Sequence, residues 1–351
     1  MQHSLYRKYR PASFTEVQGQ DAIVGTLETQ VTSGTPSHAY LFAGSRGLGK
    51  TSIARIFARE LGTSEKDLYE IDAASNNSVE DIRALTENIY TLPFESKYKL
   101  YILDEAHMLS KSAWNAFLKT LEEPPAYAIF ILATTELEKV PDTVQSRCQV
   151  FEFKKPSRAL LAQVVESVAG KEGKSLDPAA AELIALLADG SYRDALSILE
   201  KVLASTHGKN EKKVSLEITE AATGAPRRQL VEQLAQALSE GNTEEALKTI
   251  RTVSTTNVSL SLYLTLVLEY VRQVLLTRHA PELRRELEAE VGSENFPSIN
   301  ELAAQKDSKL THETLKVFLD AAERMRFSPI PALPLELAVL ELSQHGGHGT
   351  E

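Results

Sequence analysis

Between Ala39 and Phe153 the apolar positions form two kinds of pattern that take turns along the chain. "AYLFAG", "LYEID", "KLYILDEAH", "AIFILATT" and "QVFEF" are short runs of aliphatic and aromatic residues and predict strands. Between them, "SIARIFARELG", "SVEDIRALTENIYTL" and "SKSAWNAFLKTLEEPP" repeat apolar residues every three or four positions and predict helices. Gly62 is a C-terminal stop for the first helix. Ser78 caps the second, ahead of acidic first-turn residues. Pro124 and Pro125 end the third. This alternation predicts a parallel sheet with helices on both faces, which binds ligands at the carboxyl ends of its strands. The glycine loop after the first strand, Asp104 and Thr135 all fall at such ends.

After Pro156 the pattern holds no clear strand. "PSRALLAQVVESVAGKEG", "DPAAAELIALLADG" and "YRDALSILEKVLAS" predict three amphipathic helices. "THGKNEKK" reads as a loop, Leu216 to Ala222 as a short helix and "TGAPRR" as a hinge. Residues from Pro226 to Ser343 are again helical in pattern, with Leu262, Leu266, Tyr270 and Val274 at one-turn steps on a core face. The expected division is residues 1–155, an α/β nucleotide-binding domain; 156–222, a small helical lid; 223–343, an all-α domain; and 344–351, a disordered tail. His345 and His348 in that tail are too few to hold a metal. No internal repeat is visible.

Composition narrows the class. Of 351 residues, 42% are hydrophobic and 25% charged, the balance of a globular chain of two or three domains. The single cysteine, Cys148, makes no internal disulfide and no cysteine-based metal site, which suits a reducing interior. "MQHSLYRKYRPASF" has no apolar core of a secretory signal. "LSLYLTLVLEYVRQVLL" is interrupted by Glu269 and Arg272, falls short of a membrane span and reads as a buried bundle helix. The expected compartment is the cytoplasm, with no membrane partner. The net charge of −10 argues against a general nucleic-acid coat, although residues 1–60 hold seven Lys/Arg against four Asp/Glu.

The chemistry begins at "GSRGLGKTS", Gly44 to Ser52, which fits G-x-x-x-x-G-K-[ST] through Gly44, Gly49, Lys50 and Thr51. The backbone N–H groups of Ser45, Arg46, Gly47, Leu48 and their neighbours can converge on phosphate oxygens, with the next helix aimed at the same charge. Lys50 would reach the outer phosphates and Thr51 would ligate Mg²⁺. In "LYILDEAH" an apolar strand delivers Asp104 to the metal and Glu105 to the attacking water. An NTP-hydrolysing domain follows from the pair. Thr135 is either a plain strand end or a group beside the γ-phosphate. Arg147 is either a structural ion-pair partner or a charge donor to a neighbouring subunit's nucleotide. Arg193, in "GSYRDAL", could reach the γ-phosphate from the lid.

The stretches "KYRP", "HAYLFAGSRGLGKTSIARIFA", "EIDAASNNSVEDIR", "DEAHMLSKSAWNAFLKTLEEPP", "ATTELEKVPDTVQSRCQVFEF" and "GSYRDALS" resemble the gamma/tau subunits of the bacterial DNA polymerase III clamp loader, which are AAA+ ATPases. The resemblance covers nearly the whole chain. It implies ATP and Mg²⁺ as cofactors and an adenine-side pocket from Tyr9, Arg10 and Val17. It further implies Thr135 as the γ-phosphate sensor, Arg147 as the arginine finger acting on the adjacent subunit and Arg193 as the lid arginine. The helical end would be the collar of a ring of about five subunits. The implied partners are delta and delta prime subunits, further copies of this chain, the sliding clamp (beta) and primer–template DNA. Asn76 to Ser78, Ser110, Lys111 and Thr143 match the DNA-facing positions, where each is otherwise a helix cap or solvated loop residue. Two departures stand out. Family members usually carry a four-cysteine zinc module after the P-loop helix; here that link is "TSEKD", Thr63 to Asp67, so no zinc is expected. The chain also ends soon after the collar, as a short, gamma-like form does. No polymerase active site is visible. The alternative is an AAA+ motor or supporting subunit working on branched or stalled DNA.

Overall fold

The computed structural model describes residues 4–206, 212–256, 258–291 and 296–345. By packing, the chain divides into two compact units: Met1–Leu161 with Ala188–Ser197, and Ala162–Leu187 with Ile198–Glu351.

The first unit contains α1 (Leu5–Lys8), α2 (Asp21–Ser33), β1 (Ala39–Ala43), α3 (Lys50–Glu60), β2 (Leu68–Asp72), α4 (Val79–Ile89), β3 (Lys99–Asp104), α5 (Lys111–Glu122), β4 (Ala128–Thr134), α6 (Asp142–Gln145) and β5 (Gln149–Glu152). The strands form one parallel sheet in the order β2-β3-β4-β1-β5. Strand alternation sends Tyr40, Phe42, Ile102 and Ile131 to one face, where they meet Phe57 of α3 and Leu27 of α2. Leu41, Tyr101, Leu103, Phe130 and Leu132 go to the other, against Ile82 of α4 and Phe117 of α5. With both faces covered, the inner strands are buried along their length, which is why they read as continuous apolar runs. In register, Ala43 lies beside Thr134 and Asp72 beside Asp104, so the carboxyl ends of four strands are level.

The short link after α3 is a tight turn. Gly62 takes the left-handed conformation (φ 74°), its N–H reaches Arg59 O at 2.9 Å, and Thr63 N–H reaches Ala58 O at 3.0 Å. This pair of bonds closes the last turn of α3. The link ends at Asp67, fully buried, whose carboxylate accepts the N–H groups of Phe94, Glu95 and Ser96 at 2.5, 3.0 and 2.8 Å. Burial alone would raise its pKa, but these bonds together hold it down to about 2. Nearby, buried Lys99 donates to Asn88 O at 2.7 Å and Thr91 Oγ1 at 2.8 Å. α4 therefore stops at Ile89, short of the Leu92 suggested by the pattern: Lys99 takes a C-terminal carbonyl, and Pro93 disfavours helix at the residue before it. The following loop exposes Tyr90, Leu92 and Phe94 by 55, 77 and 73%.

The second unit is helical: most of α7 (Arg158–Lys171), α8 (Pro178–Leu187), the end of α9 (Tyr192–Ser205), α10 (Leu216–Thr223), α11 (Arg228–Glu240), α12 (Thr243–Ser254), α13 (Leu260–His279), α14 (Arg284–Val291), α15 (Phe296–Ala304), α16 (His312–Met325) and α17 (Leu333–His345). It also holds a pair that the pattern did not predict, β6 (Ser175–Leu176) beside β7 (Lys213–Val214); two residues per strand leave no periodic trace. α13 is the hub of the core that runs from α11 to α17. At 20 residues and a mean hydropathy of 1.3 it is long and apolar enough to cross a membrane, so the expectation that it falls short does not hold on that measure. Its packing is that of a core helix: Tyr263, Leu264, Val267, Tyr270, Val271 and Val274 are buried, and the helix packs on α11, α15 and α16. Of the four positions expected on the core face, Tyr270 and Val274 are buried, while Leu262 and Leu266 are only half-buried. α17 runs to His345, so the start of the expected tail is helix, and residues 346–351 lie outside the described residues.

Candidate nucleotide site

The phosphate loop leaves β1 at Gly44 and enters α3 at Lys50. Gly44, Gly47 and Gly49 all have positive φ (144°, 80° and 94°), which a side chain would strain. Gly47 has a second reason to be glycine: an added Cβ would stand 2.0 Å from Ser191 Oγ. The segment Ala188–Ser197 is thus laid directly on the loop, with Tyr192 N–H donating to Gly47 O at 3.1 Å. That contact brings Arg193 to the loop, its Cβ 3.3 Å from the same added atom.

Lys50 is 6% exposed and donates to Gly44 O at 2.6 Å and Ser45 O at 2.9 Å. Burial lowers its pKa, while the charges of Glu105 and Asp104 oppose that shift. Thr51 Oγ1 donates to Asp104 Oδ2 at 3.0 Å. A hydroxyl and a carboxylate, both hard oxygen donors on facing elements, fit a Mg²⁺ ion that takes its other ligands from water and phosphate. Among the described residues no cluster of three or more His, Cys, Asp or Glu forms an all-protein metal cage.

Glu105 adopts a left-handed backbone (φ 50°, ψ 44°), a conformation costing on the order of 1 kcal/mol for a residue with a Cβ. It aims the carboxylate back toward the strand ends, where Thr135 Oγ1 donates to Glu105 Oε2 at 3.2 Å. Thr135 stands one residue beyond β4, as the sequence suggests, and touches the acid expected to handle water. His107 also meets this group and was missed by sequence reasoning, although it stands in the same "DEAH" run.

Arg10 Nε donates to Ser52 Oγ at 2.8 Å, tying the N-terminal segment to the first turn of α3. Burial lowers the Arg10 pKa, with Arg55 adding to the effect. Val17 packs on the sheet face shared with α3, and Tyr9 closes α1 one residue before Arg10. The Arg193 guanidinium lies 4.8 Å from the centre of the Tyr6 ring, and hydrogen bonding to Arg193 first, then to Ser4 and Arg7, pulls the Tyr6 hydroxyl down to about 8. Tyr6 was also absent from the sequence reading.

Arg147 follows α6. Its guanidinium donates to Glu122 Oε1 at 2.7 Å and to Thr143 O at 2.6 Å, so in the single chain it is an ion-pair partner at the surface. Burial pushes the adjacent Cys148 thiol up to about 12, leaving it protonated near neutral pH. Of the DNA-facing candidates, the Asn76–Ser78 loop and the Ser110–Lys111 turn are brought together by Ser110 N–H donating to Asn77 O at 3.2 Å. Ser78 and Ser110 both cap helices, accepting from Asp81 N–H at 3.1 Å and Ala113 N–H at 3.2 Å. Thr143 and Lys111 are exposed on separate helices, and Asn76 donates to Asp72 O at 3.0 Å.

A parallel sheet in this order, a phosphate loop after β1, an acid pair at the end of β3 and a helical segment laid on the loop define an AAA+ ATPase. Comparison with known proteins agrees. Thermotoga maritima RuvB, a Holliday junction branch migration motor, aligns with a TM-score of 0.54 at 19% identity, over 92% of this chain and 99% of its own, a likeness of fold alone. Profiles described as DNA polymerase III delta subunit, clamp loader subunit ATPase lid domain, and subunits gamma and tau domain III match residues 63–157, 161–208 and 214–346. The DNA polymerase III gamma subunit of Buchnera aphidicola subsp. Schizaphis graminum is 32% identical over 96% of this chain and 97% of its own. The tau subunit of Bacillus subtilis is 35% identical over 97% of this chain. The chain belongs to the DNA polymerase III gamma/tau family of clamp loader subunits. It spans 63% of the length of the Bacillus tau subunit and 33% of the Mycoplasma pneumoniae gamma/tau subunit.

Proposed function

We propose that this chain is an ATP-driven motor subunit of a clamp loader, which binds and hydrolyses ATP to open a sliding clamp and place it on primed DNA. The observation that carries the reading is the convergence of Lys50, the Thr51–Asp104 pair, Glu105 and Thr135 at level strand ends, with Arg193 laid on the phosphate loop. In this reading the loop N–H groups and Lys50 hold the phosphates, and Thr51 with Asp104 holds Mg²⁺, which would neutralise charge on the β- and γ-phosphate oxygens. Glu105 accepts a hydrogen bond from the attacking water and orients it. Thr135 sets that carboxylate. Arg193 moves from Tyr6 toward the γ-phosphate, and Arg147 leaves Glu122 to act on a neighbour's nucleotide. Tyr9, Arg10 and Val17 face the base.

The partners are delta and delta prime subunits, further copies of this chain, the clamp and primer–template DNA, in the cytoplasm. An exposed loop of Tyr90, Leu92 and Phe94 suits a protein partner, because so many large apolar groups in five residues rarely face water without one. The test is ATPase activity of the full chain with its delta-type partners, with and without primed DNA and clamp. Stimulation by DNA and clamp together is expected; equal rates in all four conditions refute the proposal.

A further inference from the structure

His107 is a near-buried side chain, 7% exposed, in the short turn of 3₁₀ helix that follows Glu105. Each ring nitrogen faces oxygen. Nδ1 lies 3.1 Å from Thr134 Oγ1 and 3.6 Å from Glu105 Oε2, while Nε2 lies 3.2 Å from Glu136 Oε1. Carboxylates only accept, so Nε2 must carry a proton to bond Glu136 and Nδ1 must carry one to attract Glu105; the ring joins the two carboxylates when both its nitrogens are donors. The ring is thereby fixed from behind. Glu136 is itself held: its N–H donates to Thr134 Oγ1 at 3.0 Å, and its carboxylate pairs with Lys139 at 2.8 Å. The Glu105 carboxylate thus sits between Thr135, which donates to it, and an imidazole edge that Glu136 locks in place.

We propose that His107 is a positioning residue for Glu105, held in orientation by Glu136, and that this pair keeps the carboxylate aimed at the attacking water despite its strained backbone. The inference rests on the reading that Glu105 handles that water. The direct side-chain contacts of the Glu105 carboxylate are Thr135 Oγ1 at 3.2 Å and His107 Nδ1 at 3.6 Å, with the Lys50 charge acting on it as well. Loss of His107 leaves one of the two contacts, and a small displacement of a catalytic group costs rate without costing substrate binding.

The experiment measures kcat and KM for ATP in the full chain with its partners, clamp and primed DNA, for His107→Ala, His107→Gln, Glu136→Gln, the His107→Ala/Glu136→Gln double variant and Glu105→Gln. His107→Ala is expected to lower kcat between about 10- and 100-fold with KM changed less than about twofold. His107→Gln, which keeps an N–H for Glu136, recovers part of the rate. The double variant is no slower than His107→Ala, because Glu136 acts only through the ring. If His107→Ala fails to fold, Glu136→Gln and His107→Gln carry the same test, each lowering kcat alone. A kcat unchanged in these variants, penalties that multiply in the double variant, or parallel losses in kcat and KM that follow lost stability overturn the proposal. Glu105→Gln separates the two layers: if it hydrolyses normally, the water-handling role itself is wrong, whereas its inactivity beside fully active His107 variants refutes only the role of the imidazole.

Discussion

Asp67→Asn removes one charge and one acceptor from a buried position while keeping shape. In the folded chain two carboxylate oxygens serve three backbone N–H groups, those of Phe94, Glu95 and Ser96. An amide has one oxygen, so its NH₂ must face at least one of these donors. A buried donor left without a partner costs about 1–3 kcal/mol. The titration gives an independent figure. A pKa lowered from 3.8 to about 2 corresponds to about 2 kcal/mol at neutral pH, or about 1–2 kcal/mol with solvent reaching the outer side of the loop. The sign follows from the depression: the stabilisation is fully present above the unfolded pKa near 4 and is lost as pH falls through the folded value near 2. Roughly half should remain at pH 3. Urea titration, followed by a probe confined to the nucleotide-binding unit such as Trp114, should show the variant destabilised by about 2 kcal/mol at pH 7. The gap should shrink between pH 5 and pH 3. An Asn variant as stable as the parent at pH 7, or a gap that stays constant down to pH 3, would refute the account of the link as a buried brace.

Lys50→Ala should abolish nucleotide binding, because the cation at the phosphate loop is lost; retained tight binding of a fluorescent ATP analogue by titration would contradict the assignment. Arg147→Ala should leave nucleotide binding intact and lower hydrolysis by about 10³-fold or more only in assembled complexes. Equal losses in the isolated chain and in the assembly would show that Arg147 acts within its own subunit.

The sheet and its ligand-bearing ends were legible because each signal is local. The runs of β1, β3 and β4 are buried on both faces, and the glycine loop, Asp104 and Thr135 follow them directly in sequence. What was not legible depends on contacts across the fold. His107 gains its meaning from Glu136, 29 positions away, and Arg10 from Ser52. The early end of α4 was hidden because Leu92 continues an apolar period, while the groups that stop the helix are Pro93 and Lys99, the latter on the next strand. The α13 face was legible at Tyr270 and Val274 but not at its start: the helix is apolar on nearly every side, so period alone cannot rank Leu262 against Tyr263, which is fully buried with its OH donating to Leu230 O at 2.9 Å.

The contacts within the site suggest why binding and hydrolysis are separable. Lys50 is held by two neutral carbonyls in a buried position that disfavours its charged form. A phosphate oxygen is a better acceptor, since charge-assisted bonds are roughly twice as strong as neutral ones. Thr51 and Asp104 would likewise exchange their mutual bond for a metal that both could hold. On the proposed reading, both exchanges would favour capture of ATP by the single chain. Hydrolysis asks for different groups. The Glu105 carboxylate already meets Thr135 and His107, whereas Arg147 is paired with Glu122 and Thr143 at the surface. An exposed ion pair of this kind contributes about 0–1 kcal/mol, so a neighbouring subunit offering a triphosphate can take the arginine at little cost. On the proposed reading, binding belongs to one chain, and the last charge for hydrolysis belongs to the assembly.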